Sequence, residues 1–308
     1  MKTRELGRGG ANVSVVGLGA WPIGGGMGVL EESESIATVR AAIDSGITLL
    51  DTAQAYRTSE STLGKALSDG YRDRCFLATK VSGDYSRAGI IAGMENSLRQ
   101  LGVDCVDLYQ IHGWDSKYPI EESMETMARL QEEGKTRYIG VSNFSAAQMQ
   151  RAAETAPFHS SQPRYNVIDR QIEAEDIPHC ERSGIGILAH SPLAKGLLSG
   201  RYKPEDTFSE DDERCDRPRF TGETFARFLS VADGCKEVAE AKGITPVQLA
   251  IAWILRLPAI TCVLVGAKNP GQVRDHLGSV GVEFTDDELA HIDAARARLP
   301  AEMLERYP

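Results

Sequence analysis

From residue 15 to residue 277, short apolar runs alternate with longer amphipathic stretches of helical period, and this alternation leaves few folds open to the chain. Strands separated by helices cannot pair as hairpins, so the sheet is expected to be mostly parallel. The strand-like runs fall at residues 15–18, 47–50, 76–79, 106–111, 138–141, 160–162 (the weakest), 185–189 and 261–265. Helical periods cover residues 33–45, 60–68, 87–101, 120–133, 146–154, 174–182, 247–255 and 270–277. Eight such pairs predict a closed (β/α)8 TIM barrel, and 308 residues suit one such domain spanning 1–308. Two pieces lie outside the eightfold scheme, and two helices are added around it. Residues 4–15, with Gly7-Arg8-Gly9-Gly10 at their centre, predict an N-terminal hairpin able to close the barrel floor. Residues 191–221, rich in Pro, Gly, Asp and Arg and without clear period, predict a long loop. Helices over 224–242 and 285–298 are additions around the barrel.

A formal net charge of -10 argues against a nucleic-acid or anionic-membrane partner and leaves a small molecule as the expected one. The six cysteines, at 75, 105, 180, 215, 235 and 262, form no Cys-x-x-Cys pair and are expected as reduced thiols in the cytoplasm; no metal is expected. Residues 1–6 contain no apolar signal core, and no stretch approaches the roughly 20 apolar residues of a membrane span.

Asp51, Tyr56, Lys80 and His112 each stand at, or just beyond, the carboxyl end of a predicted strand, which in a parallel barrel is the end that faces the active site. Their chemistry is complementary. Tyr56 is a candidate proton donor, and an ammonium beside it is expected to lower its pKa from near 10. Asp51 would hold Lys80 charged, and a neutral His112 would orient a carbonyl oxygen by hydrogen bonding. Singly, each has an ordinary explanation: a turn cap, a loop cover, a lysine reaching water from a strand end, a histidine satisfying backbone groups. Three successive βα units ending in groups needed to protonate a carbonyl favour the catalytic reading. No side chain supplies hydride, so a cofactor must. Residues 24–28, Gly-Gly-Gly-Met-Gly, fail the G-x-G-x-x-G spacing at the third glycine and are read as shaping a loop. Residues 265–273 pass from a glycine turn through Pro270 into a helix, a start that attracts phosphate, with Lys268 as a point charge. An ordinary capped connection with a solvated lysine fits those residues equally well.

Together these motifs resemble the aldo-keto reductase superfamily from about residue 15 to the terminal helix. Asp51-Thr52-Ala53, Tyr56, Lys80 and His112 match its catalytic tetrad in order; residues 59–64, 140–143 and 162–166 resemble its second-helix, strand-five and Gln-x-x-Tyr-Asn segments. The resemblance implies a reductase of aldehydes and ketones using NADPH/NADP+ without a Rossmann domain. It implies that Asp51 and Tyr56 approach the reacting edge of the nicotinamide, and that Ser142, Asn143 and Gln162 hold its carboxamide. Ser191, Leu193 and Lys195 would cover the pyrophosphate. Gly266 and Lys268 would clamp the 2′-phosphate, and Gln272 would meet the adenine. The chain departs from the pattern at His190, where an aromatic residue usually stacks on the nicotinamide, at Arg57, where glycine is common, and at His276, where an adenine-side asparagine is usual. The substrate pocket is expected from Trp21, Tyr56, Tyr85, His112 and Trp114. Arg57 and Arg219 would suit an anionic or sugar-like aldehyde, with surface solvation as their plainer role. Two rival functions remain: a lyase forming a Schiff base on Lys80, and a non-catalytic module sensing bound NADP.

Overall fold

The structure, a computed structural model, describes residues 1–306. It opens with an antiparallel hairpin of β1 (Thr3–Glu5) and β2 (Asn12–Ser14), in which Thr3 faces Ser14. Strand and helix then alternate: β3 (Val16–Gly19), α1 (Glu32–Asp44), β4 (Leu49–Asp51), α2 (Ser59–Ala66), β5 (Phe76–Val81), α3 (Arg87–Leu101), β6 (Val106–Ile111), α4 (Ile120–Glu132), β7 (Thr136–Ser142), α5 (Ala146–Thr155), β8 (Ser160–Gln162), α6 (Asp176–Ser183) and β9 (Gly186–Ala189). α7 (Gly222–Lys242) and α8 (Pro246–Leu255) precede β10 (Ile260–Val265), and α9 (Pro270–Leu277), α10 (Asp286–Arg296) and α11 (Ala301–Arg306) follow it. Strands β3 to β10 pair in parallel and close into a barrel through β10 and β3. The expected (β/α)8 TIM barrel and its hairpin are both present.

Local chemistry sets the helix boundaries. Ser145, Thr245 and Thr285 begin α5, α8 and α10 with reciprocal capping boxes, each with Gln or Glu at the third helical position. The strands carry two sorted faces. Leu49, Phe76, Ala78, Leu108, Leu188, Cys262 and Leu264 form an inner cluster that also takes in Leu6 and Val13 from the hairpin region, while Leu50, Leu77, Tyr109 and Val141 pack outward into the larger core under the helices. Arg4 fastens the hairpin by donating to the carbonyls of Leu255 (3.1 Å), Leu257 (3.2 Å) and Ile260. The floor of the barrel is thus apolar and plugged.

Two expectations need correction. Lys80 lies inside β5, which runs to Val81, rather than beyond a strand ending at 79. Residues 191–221 are not an open loop. They contain 3-10 turns at Ala194–Ser199 and Pro218–Phe220, bury Leu197, Leu198 and Phe220, and pair backbone with Met27 through Asp212. Their order comes from ion pairs and aromatic packing, which leave no helical or strand period to read. Among the described residues, no single helix is long and apolar enough to cross a membrane.

Candidate active site

Moving two residues up each strand from the apolar plug keeps the same inward face but changes its chemistry: Leu49 gives way to Asp51, Ala78 to Lys80 and Leu108 to Gln110. Lys80 is fully buried. Its ammonium contacts Asp51 Oδ1, donates to the Thr52 carbonyl at 2.8 Å, and lies 5.0 Å from the centre of the Tyr56 ring. The other carboxylate oxygen of Asp51 accepts from the amides of Gln162 (2.8 Å) and Gln110 (3.2 Å). A carboxylate only accepts, so both amides must present nitrogen to it. Burial opposes the charge on Lys80, but Asp51 and Tyr56 outweigh it and hold the pKa above its ordinary value.

Tyr56 departs from expectation. Burial pushes its phenol up, and the Lys80 ammonium, which pulls it down, does not reverse the shift. Its ring meets Trp21 edge-on at 5.0 Å and His112 at 5.5 Å. His112 follows β6, with Nδ1 2.7 Å from the Ser82 hydroxyl. Burial and then Lys80 push its pKa down to about 3, so the ring is neutral.

A second network adjoins it. Asn143, in left-handed backbone at φ 57°, donates to the His112 carbonyl at 3.1 Å and to the Ser142 hydroxyl at 3.1 Å, leaving Oδ1 to accept from His190 Nε2 at 2.9 Å. His190 Nδ1 lies 2.9 Å from the Ser191 hydroxyl. Burial holds His190 neutral as well, down to about 3, which makes Nδ1 the acceptor of that pair. Ser142 donates to the Gln162 carbonyl at 2.9 Å.

The tetrad opens into a cavity of about 560 Å³ that runs from Asp51, Tyr56 and His112 past His190, Ser191, Leu193 and Lys195 to Gly266, Lys268, Gln272 and His276. At the far end Asn269 caps α9 by accepting from the Gln272 N–H at 3.0 Å, and Gln272 accepts from the Lys268 N–H at 2.8 Å. The Lys268 ammonium reaches back to the Met27 carbonyl. Gly266 has no room for a side chain, since a Cβ there would stand 2.6 Å from Pro22. His276 is buried and held neutral, down to about 4. Glu213 bridges the rim. It accepts from the Trp21 indole (2.8 Å), Arg217 (3.0 Å) and the Lys195 ammonium, tying residues 191–221 to the loop after β3.

The sequence expectations divide accordingly. Asp51, Tyr56, Lys80 and His112 converge, and Trp21 joins them. Ser142 and Asn143 stand beside the cavity without lining it. Tyr85 and Trp114 lie outside its lining. The Tyr85 ring packs on Tyr118 at 5.8 Å, and the Trp114 indole donates to the Tyr118 carbonyl at 3.4 Å, so both belong to loop packing. Arg219 is not solvated but buried, in a bidentate pair with Asp169 (2.8 and 3.1 Å). Gln110, Ser82 and Glu213 were missed. Only Gln110 left a signal, a polar residue at an inward position of an apolar run.

Comparisons with known proteins agree with this geometry. The Aldo/keto reductase family profile matches residues 15–297. Aldo-keto reductase YhdN of Bacillus subtilis (strain 168) is 42% identical over 278 residues, covering 86% of this chain and 84% of that protein. Among solved structures, glycerol dehydrogenase AKR11B4 from Gluconobacter oxydans superposes with a TM-score of 0.86 at 35% identity over 96% of this chain and 95% of that one. A thermostable aldo-keto reductase, Tm1743, solved with the inhibitor epalrestat, gives 0.79 at 29% identity over 96% and 100%. A closed parallel barrel, four convergent strand-end groups and a profile match over nearly the whole barrel lead to one assignment: this chain belongs to the aldo/keto reductase family.

Proposed function

We propose that the protein is an NADP(H)-dependent reductase of small aldehydes and ketones, acting in the cytoplasm. The carrying observation is the charged, buried Lys80–Asp51 pair beneath Tyr56, beside a neutral His112, at the mouth of a cavity that ends at Lys268.

The lining suits an extended dinucleotide. Gly266 lines the far end, the start of α9 and Lys268 suit a 2′-phosphate, and Ser191, Leu193 and Lys195 line the stretch between. Because Gln162 commits its amide nitrogen to Asp51 and Gln110, its carbonyl oxygen is the group left to accept from a carboxamide, with Ser142 and Asn143 alongside. Bound NADPH would supply the hydride. Tyr56, kept protonated by burial, gives its proton to the carbonyl oxygen, and the Lys80 ammonium stabilises the phenolate left behind. In the tautomer in which Nδ1 accepts from the Ser82 hydroxyl, 2.7 Å away, His112 carries its proton on Nε2 and donates to the same oxygen. Asp51 keeps Lys80 charged. That charge counts against a Schiff-base lyase, which needs a neutral amine.

The test is NADPH consumption across aldehydes, ketones, aldoses and quinones, repeated with NADH, and the reverse reaction with NADP+ on glycerol and simple alcohols. Turnover with a preference for the phosphorylated coenzyme is expected. A strong NADH preference would overturn the role of Lys268. Tight coenzyme binding with no turnover on any substrate would favour a non-catalytic module.

A further inference from the structure

Arg164 has no place in the chemistry so far, yet it lines the same cavity. Its backbone is fixed: Arg164 bridges in parallel to His190, flanked by bonds from the His190 N–H to the Pro163 carbonyl (3.0 Å) and from the Tyr165 N–H to the His190 carbonyl (3.2 Å). In that extended stretch Arg164 falls two residues after Gln162 and so on the same face, roughly 7 Å further toward the mouth. Gln162 bonds Asp51, so Arg164 stands one step above the tetrad.

The other cations nearby are engaged. Lys195 and Arg217 share Glu213, Arg214 pairs with Asp212, and Arg219 pairs with Asp169. Arg57 donates to the Gly25 carbonyl, and Lys268 to that of Met27. Arg201, also in the lining, is exposed and lies over the Tyr202 ring at 5.8 Å. Arg164 is half-buried and makes no side-chain hydrogen bond or ion pair with any described residue. Its charge is nonetheless felt by His190, Lys195 and Asp169. A guanidinium fork held on a strand end, facing a cavity and carrying unspent donors, is built to take an oxyanion in bidentate fashion.

We infer that Arg164 is the anchor of an anion subsite in the tetrad half of the cavity, taking either the diphosphate of the coenzyme or a carboxylate borne by the substrate. This rests on the reductase reading only for the identity of the two anions. The experiment compares wild type, R164Q and R164K by calorimetry, in one arm with NADPH and in the other with 4-carboxybenzaldehyde against benzaldehyde on the NADP+ complex. If the diphosphate is the ligand, R164Q weakens NADPH and leaves the two aldehydes in their wild-type ratio. If it is a substrate carboxylate, R164Q weakens only 4-carboxybenzaldehyde. Either loss should be roughly 10- to 100-fold, the size of a lost charge-assisted hydrogen bond, and R164K should recover part of it. Should R164Q be recovered unfolded, R164K, which keeps the charge but not the fork, is expected to bind severalfold more weakly than wild type in the same arm. Wild-type binding by the variants in both arms overturns the subsite and leaves the reductase standing. Arg164-dependent binding by a wild type that turns over no carbonyl does the reverse.

Discussion

At Tyr56 burial raises the pKa, the Lys80 ammonium lowers it, and the Asp51 and Glu213 carboxylates raise it again. The net direction keeps the phenol protonated, and the ammonium is positioned to stabilise the anion formed once the proton leaves. Tyr56→Phe removes the proposed donor and its hydrogen bond to Lys80, while the ring still packs against Trp21 and His112. Turnover should fall by about 10² to 10⁴, with NADPH affinity near wild type. A variant that reduces aldehydes at the wild-type rate would remove Tyr56 from the mechanism. These four groups were legible because each breaks the apolar pattern at a strand end. Gln110 left a weaker signal, a polar residue inside an apolar run rather than at its end, and Ser82 and Glu213 acquire their roles only from the side chains they meet in space. Tyr85 and Trp114 misled for the same reason, since an aromatic near a strand end reads alike whether it lines a cavity or packs a loop.

At the scale of elements, each inward strand face divides into an apolar lower part and a polar upper part, and the hairpin region closes the lower one. Leu6 and Val13 are fully buried in that inner cluster. Leu6→Ala should therefore cost about 2 to 5 kcal/mol in urea unfolding, as for other large-to-small core changes, with kcat/KM of the folded protein unchanged because the site lies at the opposite end. An unchanged unfolding midpoint would show that the plug contributes nothing to the fold. The eight strands were legible from their runs, and most helix ends fell within two residues of their caps and periods. Residues 191–221 were not legible as ordered structure. Their packing depends on Arg214 held by Asp212, Glu213 reaching Trp21, and Phe208, Phe220 and Tyr202 clustering on Phe225, contacts made between residues with no regular spacing.

For the whole molecule, the barrel's two ends have opposite characters, an apolar plug below and a polar mouth above with a cavity leading from the tetrad to Lys268. That polarity was legible in outline, because alternation fixes the fold and the fold fixes which strand ends converge. The cavity's detailed lining was not, since it is assembled from loops whose positions depend on long-range contacts. In the proposed reaction, hydride passes within this cavity from a nicotinamide to a carbonyl carbon. Incubating the protein with NADPH deuterated at the nicotinamide C4 hydride position and an aldehyde, and locating the label by mass spectrometry and NMR, tests it most directly. Deuterium bonded to the carbinol carbon of the alcohol product is predicted. Unlabelled product, or a borohydride-trapped substrate adduct on Lys80, would contradict it.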